Sequence, residues 1–498
     1  MFRKPFSFQD FQNNLGVIMQ PSGDWITATD AQSRYLPFQV DDRFYLYAFE
    51  TLNLFEVPEP VYAFALGPDH PDGAKHPPDL TLAGPVGDAL VTLEAEIDAA
   101  LSEPDEAPRD GLGSVALHVA HDCNLRCPYC FAQQGHYGGP REMMTPETAA
   151  KAVDWLMGES GSRPSVRVKF FGGEPMMNMK TMRSTVAHAH ARSDETGQRI
   201  GFHVTTNGTF LGEREIDFLE DNGVGVQVSI DGSPEEHDKL RVFENGAGSY
   251  SVVQRGLRRL NARKGGTIVR GTISADVPQV EASVWSLIDD EEVTDVAMEP
   301  ALTTPTGEHM TTETADRIIA QWSSVADEFV ARVRRGKKPP VGNILKYLKK
   351  IHKRQRTRYG CGAGLAYMAV DPSGDVWPCH RFVGEDGWKM GNIQSPGVDE
   401  DIRDRFAGNT VDQREPCASC WARYTCGGKC AHEALQATGE ISDPDPLRCR
   451  IERGLTAICV ATYAQLGPDL VARLFDPDNA PRVSRGAQAA AEAAVPGE

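Results

Sequence analysis

The chain has 498 residues, of which 51 are basic and 70 acidic, giving a net charge of −19, with 40% hydrophobic residues and 11 cysteines. That length allows two or three domains, each able to bury a core, and the acidic balance gives neither nucleic acid nor an anionic membrane an electrostatic reason to bind. No apolar run reads as membrane-spanning and MFRKPFSFQD is no secretory signal, so we expect no nucleic-acid or membrane partner, and a cytoplasmic location where unpaired, metal-type cysteines stay reduced.

In chain order, residues 1–105 read as a small α+β domain. Phe38 to Val40, the turn Asp41-Asp42, Arg43 to Phe49 and Leu54 to Val57 alternate as strands of one sheet. A Pro/Gly-rich loop from Gly67 to Pro85, a helix from Asp88 to Leu101 and a linker from Ser102 to Gly113 follow.

Between residues 114 and 310 short apolar runs alternate with amphipathic stretches, the pattern of a parallel α/β architecture. Strands are predicted at Val115–Val119, Val166–Phe170, Phe202–Thr206, Val226–Ile230, Ile268–Ile273 and Asp295–Glu299, with helices such as Pro146–Met157 and Glu213–Asp221 between them. In α/β barrels the chemistry sits at the C-terminal strand ends. The second strand ends in Phe171-Gly172-Gly173-Glu174-Pro175, the third in Thr206-Asn207-Gly208 and the fourth in Ser229-Ile230-Asp231-Gly232, while Arg270-Gly271-Thr272 lies on the fifth. Glycines let a ligand approach the backbone, and a carboxylate there can accept from an ammonium group; taken singly, each of these residues serves equally well as a turn or cap residue.

Residues 311–360 form a helical bridge carrying the basic run Lys346 to Arg358, KYLKKIHKRQRTR. Such a run is a solvated helix face or a strip that steers an acidic peptide. A cysteine-rich domain spans 361–460, and a C-terminal helix and Ala-rich tail span 461–498, fraying after about Asp476.

Ten of the 11 cysteines fall into two patterns. Cys123, Cys127 and Cys130 form CxxxCxxC; Cys361, Cys379, Cys417, Cys420, Cys426, Cys430 and Cys449 follow, the middle four as CxxCxxxxxCxxxC. Closely spaced thiolates hold iron-sulfur clusters, and a set of three leaves one iron of a cubane without a protein ligand. A zinc site completed by His118 or His121, or a pair of zinc knuckles, uses similar spacings, although seven thiolates do not divide into two closed sets of four. Cys459 is left over as a buried core thiol.

With HDCNLRCPYCFA, FFGGEP, TTNG, SIDG, VRGT, CGAGLAYMAVDPSGDVWPCHRFVG and CASCWARYTCGGKC, the chain resembles the radical S-adenosylmethionine (SAM) enzymes with an SPASM extension that modify peptides, over roughly residues 114–460. Within them it is most like the maturases that build thioether crosslinks in quinohemoprotein amine dehydrogenase and in six-cysteine peptides. The resemblance implies a partial (β/α)6 barrel, a C-terminal SPASM domain and an N-terminal peptide-recognition domain that adds a leader strand to a sheet edge; an ordinary capping subdomain is the alternative for these first residues. It implies SAM and three 4Fe-4S clusters: one on Cys123, Cys127 and Cys130, one on Cys417, Cys420, Cys426 and Cys449, and one on Cys361, Cys379 and Cys430. The last set lacks the further cysteine that sulfatase maturases carry shortly after the first, since Gly362 to Met368 has none; this leaves an iron open to a substrate thiolate.

By the same resemblance, Gly172, Gly173 and Glu174 hold the SAM amino group, Ser229 and Arg270 its carboxylate and ribose, and Tyr129 lies against the adenine. Asn207, Asp231 and Arg241 complete the cofactor-binding candidates. The sulfatase maturases place an aspartate base after the cysteine matching Cys379; here His380 stands there, a candidate base or a structural neighbour of the cluster. The expected partners are a peptide or small protein and an external electron donor of flavodoxin or ferredoxin type. The expected reaction joins a cysteine sulfur to a carbon, an Asp or Glu methylene, with formylglycine formation or carbon-carbon crosslinking as alternatives and a non-catalytic metal-binding role as the distant one.

Overall fold

The computed structural model describes residues 34–66, single positions between 92 and 99, and 111–475 apart from 265, 276–278, 304–306 and 396. The expected loop at 67–85, most of the helix at 88–101 and of the linker at 102–113, and the tail after 476 lie outside the described residues. Thr92, Ala95 and Ile97 to Ala99 are helical, and Ile97 is buried.

The N-terminal strands β1 (Tyr35–Val40), β2 (Arg43–Ala48) and β3 (Asn53–Val57) form an antiparallel sheet in that order, followed by α1 (Glu59–Leu66). Asp41 adopts φ 54° at the tight turn between β1 and β2, a left-handed geometry that Asp tolerates better than most residues.

All six barrel strands appear within a few residues of their predicted bounds: β4 (Ser114–Ala120), β5 (Ser165–Gly172), β6 (Arg199–Thr206), β7 (Gly225–Ser229), β8 (Thr267–Ile273) and β9 (Val293–Pro300). Adjacent strands pair in parallel. The crossovers are the helices α2 (Pro146–Gly158), α3 (Met179–Thr196), α4 (Glu213–Asp221), α5 (Pro234–Leu240), α6 (Tyr250–Lys264) and α7 (Val280–Asp290). Helix α2 starts where Thr145 Oγ1 accepts the N–H of Thr148 at 3.1 Å and Pro146 fixes the first turn. On β5 the side chains of Val166, Val168 and Phe170 are buried, while Arg167, Lys169 and Phe171 alternate onto the other, concave face.

The expectation of a six-stranded sheet needs extension. Three strands from the cysteine-rich region, β10 (Tyr367–Val370), β11 (Asp375–Trp377) and β12 (Gly391–Asn392), continue the sheet, and β10 pairs in parallel with β4, giving nine strands in all. The barrel edge at β4 is thereby covered, which also satisfies its backbone groups.

The bridge consists of α8 (Thr312–Arg334) and α9 (Gly342–His352), with α10 (Glu400–Ala407), α11 (Arg423–Cys426) and α12 (Ala431–Thr438) following in the cysteine-rich region. The last helix, α13, runs from Pro446 to Phe475, so the expected boundary at 460 falls inside it. It kinks at Gly467-Pro468, as a proline in a helix interior dictates. By length and composition alone α13 could cross a membrane, which the reading of apolar runs missed; 61% of its apolar window is buried, and it packs on α8 and α9. Arg43 donates to the carbonyl of Ala464 at 3.4 Å and Glu50 pairs with Arg423 at 3.6 Å, tying the N-terminal sheet to this region.

Candidate active site

The loop that leaves β4 carries Cys123, Cys127 and Cys130 and lies directly on the turn after β5. Gly172 has φ 126°, a region closed to other L residues, and a Cβ there would collide with the carbonyl oxygen of Ala120. A Cβ on Gly173 would strike that of Asp122. The two glycines thus admit the cysteine loop, which is a different reason for them than contact with a ligand. Gly173 and Glu174 donate to the Ala120 and Asp122 carbonyls at 2.8 Å each.

Glu174 is fully buried, and its carboxylate accepts from Thr206 Oγ1 at 2.7 Å, from the N–H of Asn207 at 2.7 Å and from that of Met176 at 3.0 Å. Burial outweighs these bonds and pushes its pKa up to about 7. Instead of pointing freely into a pocket, Glu174 fastens the end of β5 to the end of β6. Asn207 extends the chain of contacts to the cysteines: its Nδ2 donates to Asn124 Oδ1 at 2.8 Å and reaches the Cys123 sulfur at 3.7 Å.

Tyr129, Asp231 and Arg241 converge on one another. The Tyr129 hydroxyl donates to Asp231 Oδ2, Arg241 donates to both Asp231 oxygens at 2.8 and 3.0 Å, and the guanidinium lies 5.5 Å from the Tyr129 ring centre. Burial raises the Asp231 pKa, but Arg241 more than offsets it and holds the carboxyl below its ordinary value. Thr272 N–H also donates to Asp231 at 2.8 Å, so β8 joins the group. Ser229 ends β7, and Arg270, its register partner on β8, turns its guanidinium to Asp295 at 2.5 Å.

The later thiols sort into two sets. Cys417, Cys420, Cys426 and Cys449 line one pocket with about 450 Å³ of empty space, part of it open to solvent. Burial pushes Cys426 and Cys449 up to about 12, and the other sulfurs of the set add to the shift on Cys449. Cys379 feels burial first and then the sulfurs of Cys430 and Cys361, and is also pushed to about 12. Cationic N–H groups face both sets. Arg414 Nε donates to Cys417 Sγ at 3.3 Å and Arg381 Nη1 to Cys430 Sγ at 3.6 Å.

His380 follows Cys379. Its Nδ1 lies 2.6 Å from the Tyr367 hydroxyl and its ring 4.4 Å from that of Phe171. Burial, then Arg381 and Lys169, lower its pKa to about 3, so the imidazole is neutral at physiological pH. His118 and His121 hydrogen-bond to each other at 3.3 Å and pack on the Tyr137 ring. Tyr137 is a buried phenol that feels the sulfurs of both regions, Cys130 and Cys123 as well as Cys379.

Thiols brought together in sets, with arginine N–H groups directed at the sulfurs of Cys417 and Cys430, fit iron-sulfur clusters, whose thiolates need compensating charge. Among the described residues no three Cys, His, Asp or Glu groups close in at single-ion distances.

Sequence reading passed over Lys169, Tyr367, Arg381 and Arg414. Only Lys169 left a readable trace, since Val-Arg-Val-Lys-Phe alternates apolar residues with cations. The basic run divides: Lys350 is buried and donates to the Thr425 carbonyl at 2.6 Å, while Lys353 and Arg354 are exposed.

Residues 117–273 match the Radical SAM superfamily, and residues 361–421 match SPASM, an iron-sulfur cluster-binding domain. PqqA peptide cyclase of Xanthomonas campestris pv. campestris is 26% identical over 413 residues, covering 77% of this chain and 97% of its own length. The serine-type anaerobic sulfatase-maturating enzyme of Bacteroides thetaiotaomicron is 25% identical over 374 residues, 68% of this chain and 85% of its own. Among solved structures, native anSMEcpe with bound AdoMet shares the fold with a TM-score of 0.60 at 18% identity, over 73% of this chain and 100% of the other. With the cysteine loop, the strand-end motifs and the two later thiol sets in these positions, the chain carries a Radical SAM domain followed by an SPASM domain and is similar to enzymes that modify peptides.

Proposed function

We propose that this enzyme forms thioether crosslinks within a peptide or small protein, joining a cysteine sulfur to a carbon of another residue, an Asp or Glu methylene, with electrons drawn from a flavodoxin- or ferredoxin-type donor in a reducing cytoplasm. The observation that carries the reading is the company of Cys361, Cys379 and Cys430: three thiols without a fourth, next to the concave face of the barrel through Tyr367 and Lys169. With Cys123, Cys127 and Cys130 as one set and Cys417, Cys420, Cys426 and Cys449 as another, the chain offers ligands for three 4Fe-4S clusters. When bound, the clusters and SAM supply a carbon radical for hydrogen-atom abstraction, an open iron for a substrate thiolate and an acceptor for the second electron.

The protein's part is geometry. Glu174 and Asn207 fix the cysteine loop against β5 and β6, and the Tyr129, Asp231 and Arg241 group firms the wall on the β7 and β8 side. Phe171 and Tyr367 hold the His380 ring, and holding two reacting groups in near-attack orientation is worth several kcal/mol of barrier (about 7–11 at the limit). Formylglycine formation is the second reading, favoured by the sulfatase-maturating relative; His380 in place of an aspartate speaks against it.

The test is mass spectrometry of a peptide after anaerobic turnover with reduced protein and SAM. A thioether removes two hydrogens and protects one cysteine from alkylation. Formylglycine made from serine also removes two hydrogens but leaves every cysteine open to alkylation, and a carbon-carbon link does the same.

A further inference from the structure

The concave face of the sheet in this acidic protein is locally cationic. On the concave face of β5, Arg167 and Lys169 stand two residues apart, and His203 of β6 lies opposite Lys169 in the parallel register. Burial and then the three cations Lys169, Arg167 and Arg270 lower the His203 pKa to about 4, which reports the sign of the field there. Arg270 is neutralised by Asp295. Lys169 is not: its ammonium rests 4.3 Å from the centre of the Tyr367 ring, close enough to Cys361 to feel its sulfur, and among the described residues no carboxylate reaches it at ion-pair distance.

A half-buried ammonium held over an aromatic face is only partly compensated, and leaving a charge without a partner in such a place costs stability. A site built this way has the chemistry to receive an anion. We propose that Lys169 is the anchor for a substrate carboxylate, seating an acidic side chain of the peptide between β5 and the Cys361, Cys379 and Cys430 thiols. The ring of Tyr367 forms the floor and Arg167 extends the cationic strip towards the opposite end of the strands. The anchor rests on the peptide-modifying reading and sharpens it, because it selects peptides with an Asp or Glu near the cysteine to be joined.

The experiment measures binding, not turnover. The full-length, iron-loaded protein with SAM is titrated anaerobically into a fluorescein-labelled peptide containing one cysteine and several glutamates, and into its glutamine counterpart, with anisotropy as the readout. The glutamate peptide should bind about tenfold tighter, Lys169→Met should abolish the difference, and Lys169→Arg should keep most of it. Reversal of the exposed charges, Lys353→Glu with Arg354→Glu, should leave the difference in place. In the unmodified protein, glutarate should displace the glutamate peptide and uncharged glutaramide should not, which tests the site even if the Lys169 variants do not load iron. Equal binding of both peptides, discrimination that survives Lys169→Met, or discrimination lost only in the Lys353 and Arg354 variant would overturn the proposal. Wild-type protein that never yields 5′-deoxyadenosine from SAM would instead bring down the radical reading and leave this binding result interpretable.

Discussion

The Tyr367 hydroxyl and His380 Nδ1 lie 2.6 Å apart, a bond that links the first residue of β10 to the residue following Cys379. It sets the tilt of the imidazole, which also packs on Phe171 at 4.4 Å and Phe131 at 5.9 Å. Tyr367→Phe keeps the aromatic floor and removes the bond. We expect normal iron content and about a tenfold lower ratio of crosslinked peptide to 5′-deoxyadenosine, because a loosened site lets radicals go to waste. An unchanged ratio would mean that the bond merely packs the domain interface.

The turn after β5 makes a sharper prediction. Gly172→Ala or Gly173→Ala drives a methyl group into the carbonyl of Ala120 or Asp122, and backbone oxygens of that kind do not yield as a flexible side chain does. The cysteine loop must move. The expected result is loss of about one cluster's worth of iron with the SPASM thiols still loaded, seen as disappearance of the EPR signal that responds to SAM. A SAM-responsive signal of normal intensity would count against the loop-on-turn arrangement.

Asp231 and Arg241 form a buried pair, 3% and 9% exposed, with Tyr129 and Thr272 as further donors to the same carboxylate. Removing one partner of such a pair leaves an uncompensated charge and costs about 3–5 kcal/mol. Asp231→Asn should therefore lower the thermal midpoint of the holoprotein by several degrees and weaken SAM binding, as read by equilibrium dialysis. Arg241→Lys should be only partly rescuing, since an ammonium cannot reproduce the two-point fork.

Two arginines point at sulfur, each at a different thiol set. A charge-assisted hydrogen bond is worth roughly 1.5–3 kcal/mol, which for a one-electron couple is on the order of 60–130 mV. Arg414→Leu should shift the midpoint of the cluster held with Cys417 to more negative potential by up to that amount, and Arg381→Leu the one held with Cys430. Potentiometric EPR titration distinguishes them, because each variant should move one auxiliary signal and leave the other in place.

Much of this architecture is visible before folding is considered. The strand runs Val166–Phe170, Phe202–Thr206 and Val226–Ile230 are apolar on alternate residues, and a period of two admits few other structures. The thiol spacings restrict the metal chemistry in the same local way: residues three to six positions apart on a turn cannot avoid one another. Glu174, by contrast, looked in the sequence like a ligand-binding carboxylate and is enclosed by Thr206 and Asn207, because strand order brings β6 beside β5 and no local signal encodes that neighbour. Arg270 likewise looked free and meets Asp295 only because β8 and β9 pair.

The sequence by itself determined the six barrel strands and the clustering of the cysteines, since each rests on spacing within a few residues. The resemblance already implied that Cys417 groups with Cys449 and Cys379 with Cys361; the tertiary structure is what brings those distant thiols to a shared space. It also decided that the cysteine-rich region completes the barrel through β10, and that Lys169 faces Tyr367 with no carboxylate at ion-pair distance among the described residues. Partnership between distant side chains follows from how sheets and helices pack, and packing is a property of the whole chain.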